Sequence, residues 1–169
     1  MKSAPFPFSF TMLGQESKLR GLYLAVSCEA EFFMSRIMSM IEAGINDRHA
    51  KFISLPFEMG AKLKRCKKCL QDYNLAYYNF YEPQFDIITE LVGYRNMLAH
   101  GHSSFDENEV DTSYLTITWV EGASGNRSLK SLRIDIMPMI TKFEKYSKLI
   151  FELYKLDAVL VRETGGIPM

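Results

Sequence analysis

Within Tyr94-Arg95-Asn96-Met97-Leu98-Ala99-His100-Gly101, an arginine, an amide and an imidazole fall inside one short, otherwise apolar segment. Arginine presents a permanently charged fork of donors that fits the non-bridging oxygens of a phosphate, and histidine exchanges a proton near neutral pH. If the segment is helical, Asn96 and His100, four residues apart, share a face. Arg95 and His100, five apart, flank a common edge without stacking. Such a set suits acid–base work on an anionic phosphodiester. A helix ending at Gly101 favours the imidazolium of His100, while the neighbouring Arg95 cation opposes it. A purely structural use of the same residues is also open, in which Arg95 caps carbonyls or pairs with Glu90 and His100 simply ends the helix.

Three other clusters carry possible chemistry. Lys62-Leu-Lys-Arg-Cys-Lys-Lys68 holds five cations in seven residues. It reads either as a solvated helix face or as a phosphate-binding strip made of Lys62, Lys64, Arg65, Lys67 and Lys68. Cys66 and Cys69 have the spacing of half a zinc site, but Cys28, His49, His100 and His102 do not supply a matching second half. Since Cys66 falls on an apolar helical stripe, core packing is the favoured reading, and no metal or other cofactor is assigned. The acidic loop Asp106, Glu107, Glu109, Asp111 lacks the spacing and glycine of a calcium loop and reads as a surface linker.

The elements that must position these residues follow from periodicity. Leu19, Leu22, Val26, Ala30, Phe33, Ile37 and Ile41 trace one helical stripe between Ser17 and Ala43, and Gly44 stops it. Residues 44–55 read as a loop, with Ser54 and Pro56 opening the next helix. That helix carries Met59, Leu63, Cys66, Leu70, Tyr73, Tyr77 and Phe80 up to Glu82. Pro83 breaks it and opens a third helix, buried through Ile87, Ile88, Leu91, Val92, Leu98 and Ala99. The period then changes from 3.6 to two. Tyr114–Val120 and Ser131–Ile136 alternate, separated by the turn residues Gly122, Ser124, Gly125 and Asn126, which predicts a hairpin over about 113–136. Its apolar face, Leu115, Ile117, Trp119, Leu132, Ile134 and Ile136, should lean on the helices. A last helix runs from Pro138 to about Leu160 through Ile140, Phe143, Ser147 or Ile150, Tyr154 and Leu160. The predicted fold is all-α, an up-and-down four-helix bundle over about 15–160 with an inserted β-hairpin before the last helix, and 1–169 as a single domain.

Composition narrows the function classes. The 169 residues include 20 basic and 20 acidic side chains, so the net charge is zero and a broadly cationic nucleic-acid binder is excluded. The distribution is uneven: residues 1–80 hold 11 Lys and Arg against 7 Asp and Glu, whereas 81–169 hold 9 against 13. The positive half carries the basic strip and the negative half the Arg95–His100 segment, so any phosphodiester site that uses both must be assembled where the two meet. Three cysteines are too few for a secreted disulfide framework. The aromatic amino terminus is interrupted by two prolines with no small-x-small cleavage site, and no long apolar run exists. A cytoplasmic, non-membrane protein is expected.

Arg95-Asn-Met-Leu-Ala-His100 resembles the R-x4-6-H signature of the HEPN superfamily, in its form with Asn after Arg and Ala-His-Gly at the end. The resemblance implies a helical bundle that works as a homodimer with two motifs at one composite site. It implies a metal-independent RNA endonuclease of toxin–antitoxin, phage-defence or RNA-processing type. Arg95 would neutralise the scissile phosphate, His100 would act as base or acid, Asn96 would orient either, and the product would carry a 2′,3′-cyclic phosphate. RNA is the implied substrate, and an antitoxin of nucleotidyltransferase type is an implied partner. Some family toxins continue as His-x-Tyr; here His102 stands in the tyrosine's place and offers a second imidazole. The competing expectation is a non-catalytic helical module that binds a protein or nucleotide partner, motivated by the zero charge and by methionines 34, 38, 40, 137 and 139 as a contact surface.

Overall fold

Four helices and three short strands follow one another in the computed structural model, which describes residues 10–45, 58–104, 114–122 and 126–165. The elements are α1 (Phe10–Ile45), α2 (Met59–Tyr73), α3 (Leu75–His100), β1 (His102–Ser104), β2 (Tyr114–Glu121), β3 (Ser128–Asp135) and α4 (Ile136–Thr164). The chain is therefore mostly helical, with one small antiparallel sheet in the order β1-β2-β3. The predicted loop at 44–55, with its Ser54 and Pro56 helix start, lies largely outside the described residues, as does the acidic loop at 106–111. No helix among the described residues is long and apolar enough to cross a membrane.

The residues group into two units. The first comprises residues up to Ala25 and Gly93–Glu144. Its core is built from Leu19 and Tyr23 of α1, Met97 and Leu98 of α3, Leu115, Ile117 and Ile134 of the sheet, and Ile136 and Met139 of α4, all buried. The buried Tyr23 hydroxyl donates to the Met139 carbonyl at 3.2 Å, and its ring meets Tyr94 edge-on at 5.8 Å. The hairpin forms in the expected place, with Leu115 opposite Ile134 and Ile117 opposite Leu132. Only its base is covered. Leu132 is 41% exposed and Trp119 half-buried, whereas Leu115, Ile117 and Ile134 nearer the base are buried. A third strand, β1, was not foreseen. Its three residues, His102, Ser103 and Ser104, carry no alternation of apolar and polar types to betray it.

The second unit comprises Val26–Val92 and Lys145 onward. Its core takes Ile37, Met38 and Ile41 from α1, Leu63, Cys66 and Leu70 from α2, Phe85, Ile88 and Leu91 from α3, and Leu149, Leu153, Leu156 and Leu160 from α4. Met34, Met38, Met40 and Met139 are buried in the two cores, so only Met137 of the supposed methionine surface is exposed. Asp157, nearly buried, accepts from Arg36 Nε at 2.8 Å and Nη2 at 3.2 Å. This bidentate pair raises the arginine's pKa further above its ordinary range, the hydrogen bond to Asp157 being the largest cause.

Two helix boundaries fall elsewhere than periodicity predicts. The break between the second and third helices is at Asn74, not Pro83. Asn74 has extended backbone, and its side-chain oxygen accepts from Ala76 N at 3.0 Å and Tyr77 N at 3.2 Å, capping the orphan donors of α3. Pro83 lies inside α3, where the buried Tyr81 and Phe85 on either side pin the helix through it. Phe80, expected inside, is 67% exposed, and Ala99 is exposed as well. In α4 the stripe is rotated from the predicted one. The leucines at 149, 153, 156 and 160 with Tyr146 face the core, and Tyr154 is left 57% exposed with its ring edge-on to Phe33. The leucines recur at steps of four, three and four, a regular 3.6-period side, whereas the predicted stripe leaves a six-residue gap between Tyr154 and Leu160. The start of α4 is set by Asp135, whose carboxylate accepts from Met137 N at 3.1 Å.

Candidate functional site

The Arg95–His100 segment forms the last turns of α3 in the first unit. Met97 and Leu98 are buried and fix the helix face, leaving Asn96 and His100 exposed and Arg95 half-buried. Arg95 Nη1 donates to Asn96 Oδ1 at 3.0 Å, so the guanidinium and the amide form one hydrogen-bonded group. Glu90, the carboxylate considered as a partner for Arg95, is engaged by Lys145 at 2.8 Å. The residue before Arg95 is held from above and beside: Lys142 Nζ donates to the Tyr94 hydroxyl at 3.1 Å and lies 5.0 Å from its ring centroid.

Gly101 follows with its amide donating to Met97 O at 2.8 Å. A Cβ there would lie 2.3 Å from Ile117 Cγ2 and 2.5 Å from Met97 O. Only a residue without a side chain lets α3 end this close to β2, and the chain then enters β1 at once. His102 pairs with Thr118 and stands exposed on the outer side of the sheet, whereas Ser103, one residue on, points to the opposite side.

The sequence reading missed three residues that hold this corner. Arg20 of α1 donates from Nη2 to the Gly101 carbonyl at 3.0 Å and contacts the Ser103 hydroxyl with the same nitrogen. Its Nε donates to Glu16 at 2.7 Å, and Ser103 donates to that same carboxylate. Arg20 thus occupies the negative end of α3, where a cation is stabilised by the last free carbonyls. The Glu16–Arg20 spacing marks an i,i+4 pair in the sequence, but its destination more than 80 residues away carries no local signal.

The basic strip lies on α2, in the second unit. Lys62 pairs with Glu31, Arg65 with Glu42 at 2.8 Å, and Lys67 with Asp86 at 3.4 Å. Lys64 and Lys68 are exposed. Three of the five cations are therefore engaged by carboxylates, which lowers the field the strip can present. Cys66 is fully buried in the core of its unit, and burial pushes its thiol well above the ordinary range. The half-buried Cys69 thiol faces Glu42 at 3.8 Å and is pushed up to about 11, by burial first and the carboxylate second. No three His, Cys, Asp or Glu side chains among the described residues are grouped so as to hold a metal ion. Compared with known proteins, the chain matches no family, no curated protein and no solved structure.

Proposed function

We propose that this chain is a HEPN-type endoribonuclease that cleaves RNA without a metal, with the toxin or phage-defence setting implied by its motif, and that its helices form the corresponding bundle. The observation that carries the reading is the hydrogen-bonded Arg95–Asn96 pair on α3 with His100 exposed one turn further on. Arg95 neutralises a non-bridging phosphate oxygen and Asn96 orients it or the imidazole. His100 accepts the proton of the ribose 2′-hydroxyl as the 2′-oxygen attacks phosphorus in line. The bond from phosphorus to the 5′-oxygen breaks, leaving a 2′,3′-cyclic phosphate and a 5′-hydroxyl once an acid returns a proton. A homodimer supplies that acid as the second His100. Lys64 and Lys68, the exposed cations of α2, are phosphate contacts of the second unit taken by itself, and an antitoxin partner restrains the activity.

The test is incubation of purified protein with RNA in chelator, with product ends identified. Cleavage to cyclic phosphate should fall by about 10²- to 10⁴-fold in His100→Ala, the usual contribution of a positioned acid or base, and also in Arg95→Ala. No cleavage, or cleavage unchanged in both variants, refutes the reading; a monomer by light scattering removes the composite site.

A second reading, a non-catalytic module that binds a protein partner, is favoured by the exposed aromatics of the second unit. Phe32, Phe80, Phe151 and Tyr154 are 54 to 67% exposed. A co-purifying protein, released by substitutions at these rings and indifferent to Arg95→Ala, supports it.

A further inference from the structure

We infer that the outer edge of β3 takes an extended segment of a partner protein as a fourth strand of the sheet; the inference goes beyond the nuclease reading and does not depend on it. In the order β1-β2-β3, β3 has β2 on one side and no strand on the other among the described residues. The two edges of the sheet differ in kind. β1 is three residues long, and a very short edge strand offers little to pair with. β3 is eight residues long, pairs with β2 residue for residue from Ser128 to Asp135 without a bulge, and contains no proline. Its residues 128–133 are all exposed, Leu129 at 73% and Leu132 at 41%. In an antiparallel pair the N–H and C=O groups of alternate residues point away from the partner strand, so β3 presents a regular row of them along its outer edge. Such a row is matched by the backbone of another extended chain, which is how strand addition gains affinity.

The side chains of the edge define the chemistry of that segment. Lys130 and Leu132 lie on the same side of the sheet as the buried Ile134, and Leu129 lies on the other side, opposite Val120 of β2. Arg133 is held against the Tyr114 ring, 4.3 Å from its centroid, and takes no part in the selection. Lys130 is exposed, and a carboxylate directly opposite it stabilises a cross-strand pair where a like charge would destabilise it. Leu129 and Leu132 are matched by apolar residues. Running antiparallel, the more stable direction, the added strand therefore reads apolar, any residue, acidic, apolar. A second copy of β3 does not meet these demands. Two-fold pairing keeps each face of the sheet on its own side, so the register is centred on a residue. Centred on Lys130 or Arg133, it sets like charges against each other. Centred on Ser131, it sets Lys130 against Leu132 and Leu129 against Arg133; centred on Leu132, it sets Lys130 against Ile134 and Leu129 against Asp135. The cations of β3 thus oppose pairing with itself and leave the edge to a strand of complementary charge.

The test selects a displayed library of random peptides on the full chain. Enriched sequences are then synthesised with fluorescein and titrated by anisotropy, with no RNA present. They should carry an acidic residue placed between apolar ones in the order above. Lys130→Glu should weaken their binding about tenfold, since it turns one attractive cross-strand pair into a repulsive one. The same peptide with lysine in place of its acidic residue should bind the parent poorly and recover the loss on the Lys130→Glu protein. Leu132→Thr, at a half-exposed position, should weaken binding while leaving the thermal melt close to the parent's. Bound peptide should slow hydrogen exchange at amides within residues 128–133. No enrichment, binding indifferent to both Lys130→Glu and Leu132→Thr, or slowed exchange confined to the second unit overturns the inference. A dimer of the parent chain that Lys130→Glu dissociates in sedimentation gives the edge to a second copy and overturns it equally. Cleavage assays decide the nuclease reading separately, whichever way the peptide result falls.

Discussion

Gly101→Ala should destabilise the protein through a single methyl group. The backbone at Gly101 is not in the left-handed region, which among the described glycines is occupied by Gly122 and Gly165, so the cost is steric rather than conformational. The added carbon would sit 2.3 Å from Ile117 Cγ2, where carbon atoms pack best at about 3.5 to 4.0 Å. It would also sit 2.5 Å from Met97 O, a main-chain atom already accepting the Gly101 amide. Ile117 is fully buried and its strand is paired on both sides, so neither obstacle can swing away. Overpacking of this kind costs about 1 to 3 kcal/mol, and the backbone contact puts this case at the upper end. For a chain of this size about 3 kcal/mol lowers Tm by roughly 6 to 12 °C. Gly93→Ala is the matched control, a glycine inside α3 with nothing within 4 Å of its missing Cβ. It should stabilise by about 0.5 to 1 kcal/mol, because alanine loses less freedom than glycine in a helix. Thermal melts of the two variants should therefore move in opposite directions. A Gly101→Ala melt within a degree of the parent would refute the claim that this glycine sets the approach of α3 to β2.

Asn74→Ala removes the cap of α3 and should cost about 1 kcal/mol by urea unfolding, with Asn74→Asp retaining most of it; no change would return the helix boundary to Pro83. Arg36→Ala leaves the Asp157 carboxylate nearly buried without its fork, and because Arg36 is itself a quarter exposed the loss should be about 2 kcal/mol rather than that of a fully buried pair. Arg36→Lys should recover only part of it, and full recovery would show that the bidentate geometry is unimportant. Raised thiol pKa values favour the protonated, folded form, so the contribution of Cys69 is present below its unfolded value of about 8.5 and is lost as pH rises toward about 11. Stability should fall across that window and fall less in Cys69→Ala, while native alkylation at pH 8 should label the exposed Cys28 in preference to Cys66 and Cys69; equal labelling of all three would contradict the burial.

Local pattern was enough for some parts of this molecule. The stripe from Leu19 to Ile41 specifies α1 because one apolar side repeated over six turns has only one way to be buried. The alternation of Tyr114–Val120 specifies a strand for the same reason at period two. The chemistry of Arg95, Asn96 and His100 is likewise a matter of residue type and spacing along a helix. Where two local signals compete, sequence is ambiguous. Asn74 and Pro83 can each punctuate a helix, and Tyr81 and Phe85 decided against the proline by burying the turn around it. In α4 two stripes overlap, and the neighbours of each leucine chose between them.

What sequence by itself determined is thus the inventory: four helices in order, the hairpin before the last of them, and the three residues of the motif. Tertiary structure alone decided who stands beside them. Glu16, Arg20 and Ser103 close around the end of α3 from distant positions, β1 joins the sheet through three residues with no pattern of their own, and most of the basic strip is spent on carboxylates of α1 and α3. The physical reason is common to all of these. Periodicity is written in the solvent contrast of one element, whereas an ion pair or an added strand depends on a partner whose position exists only once the chain has folded.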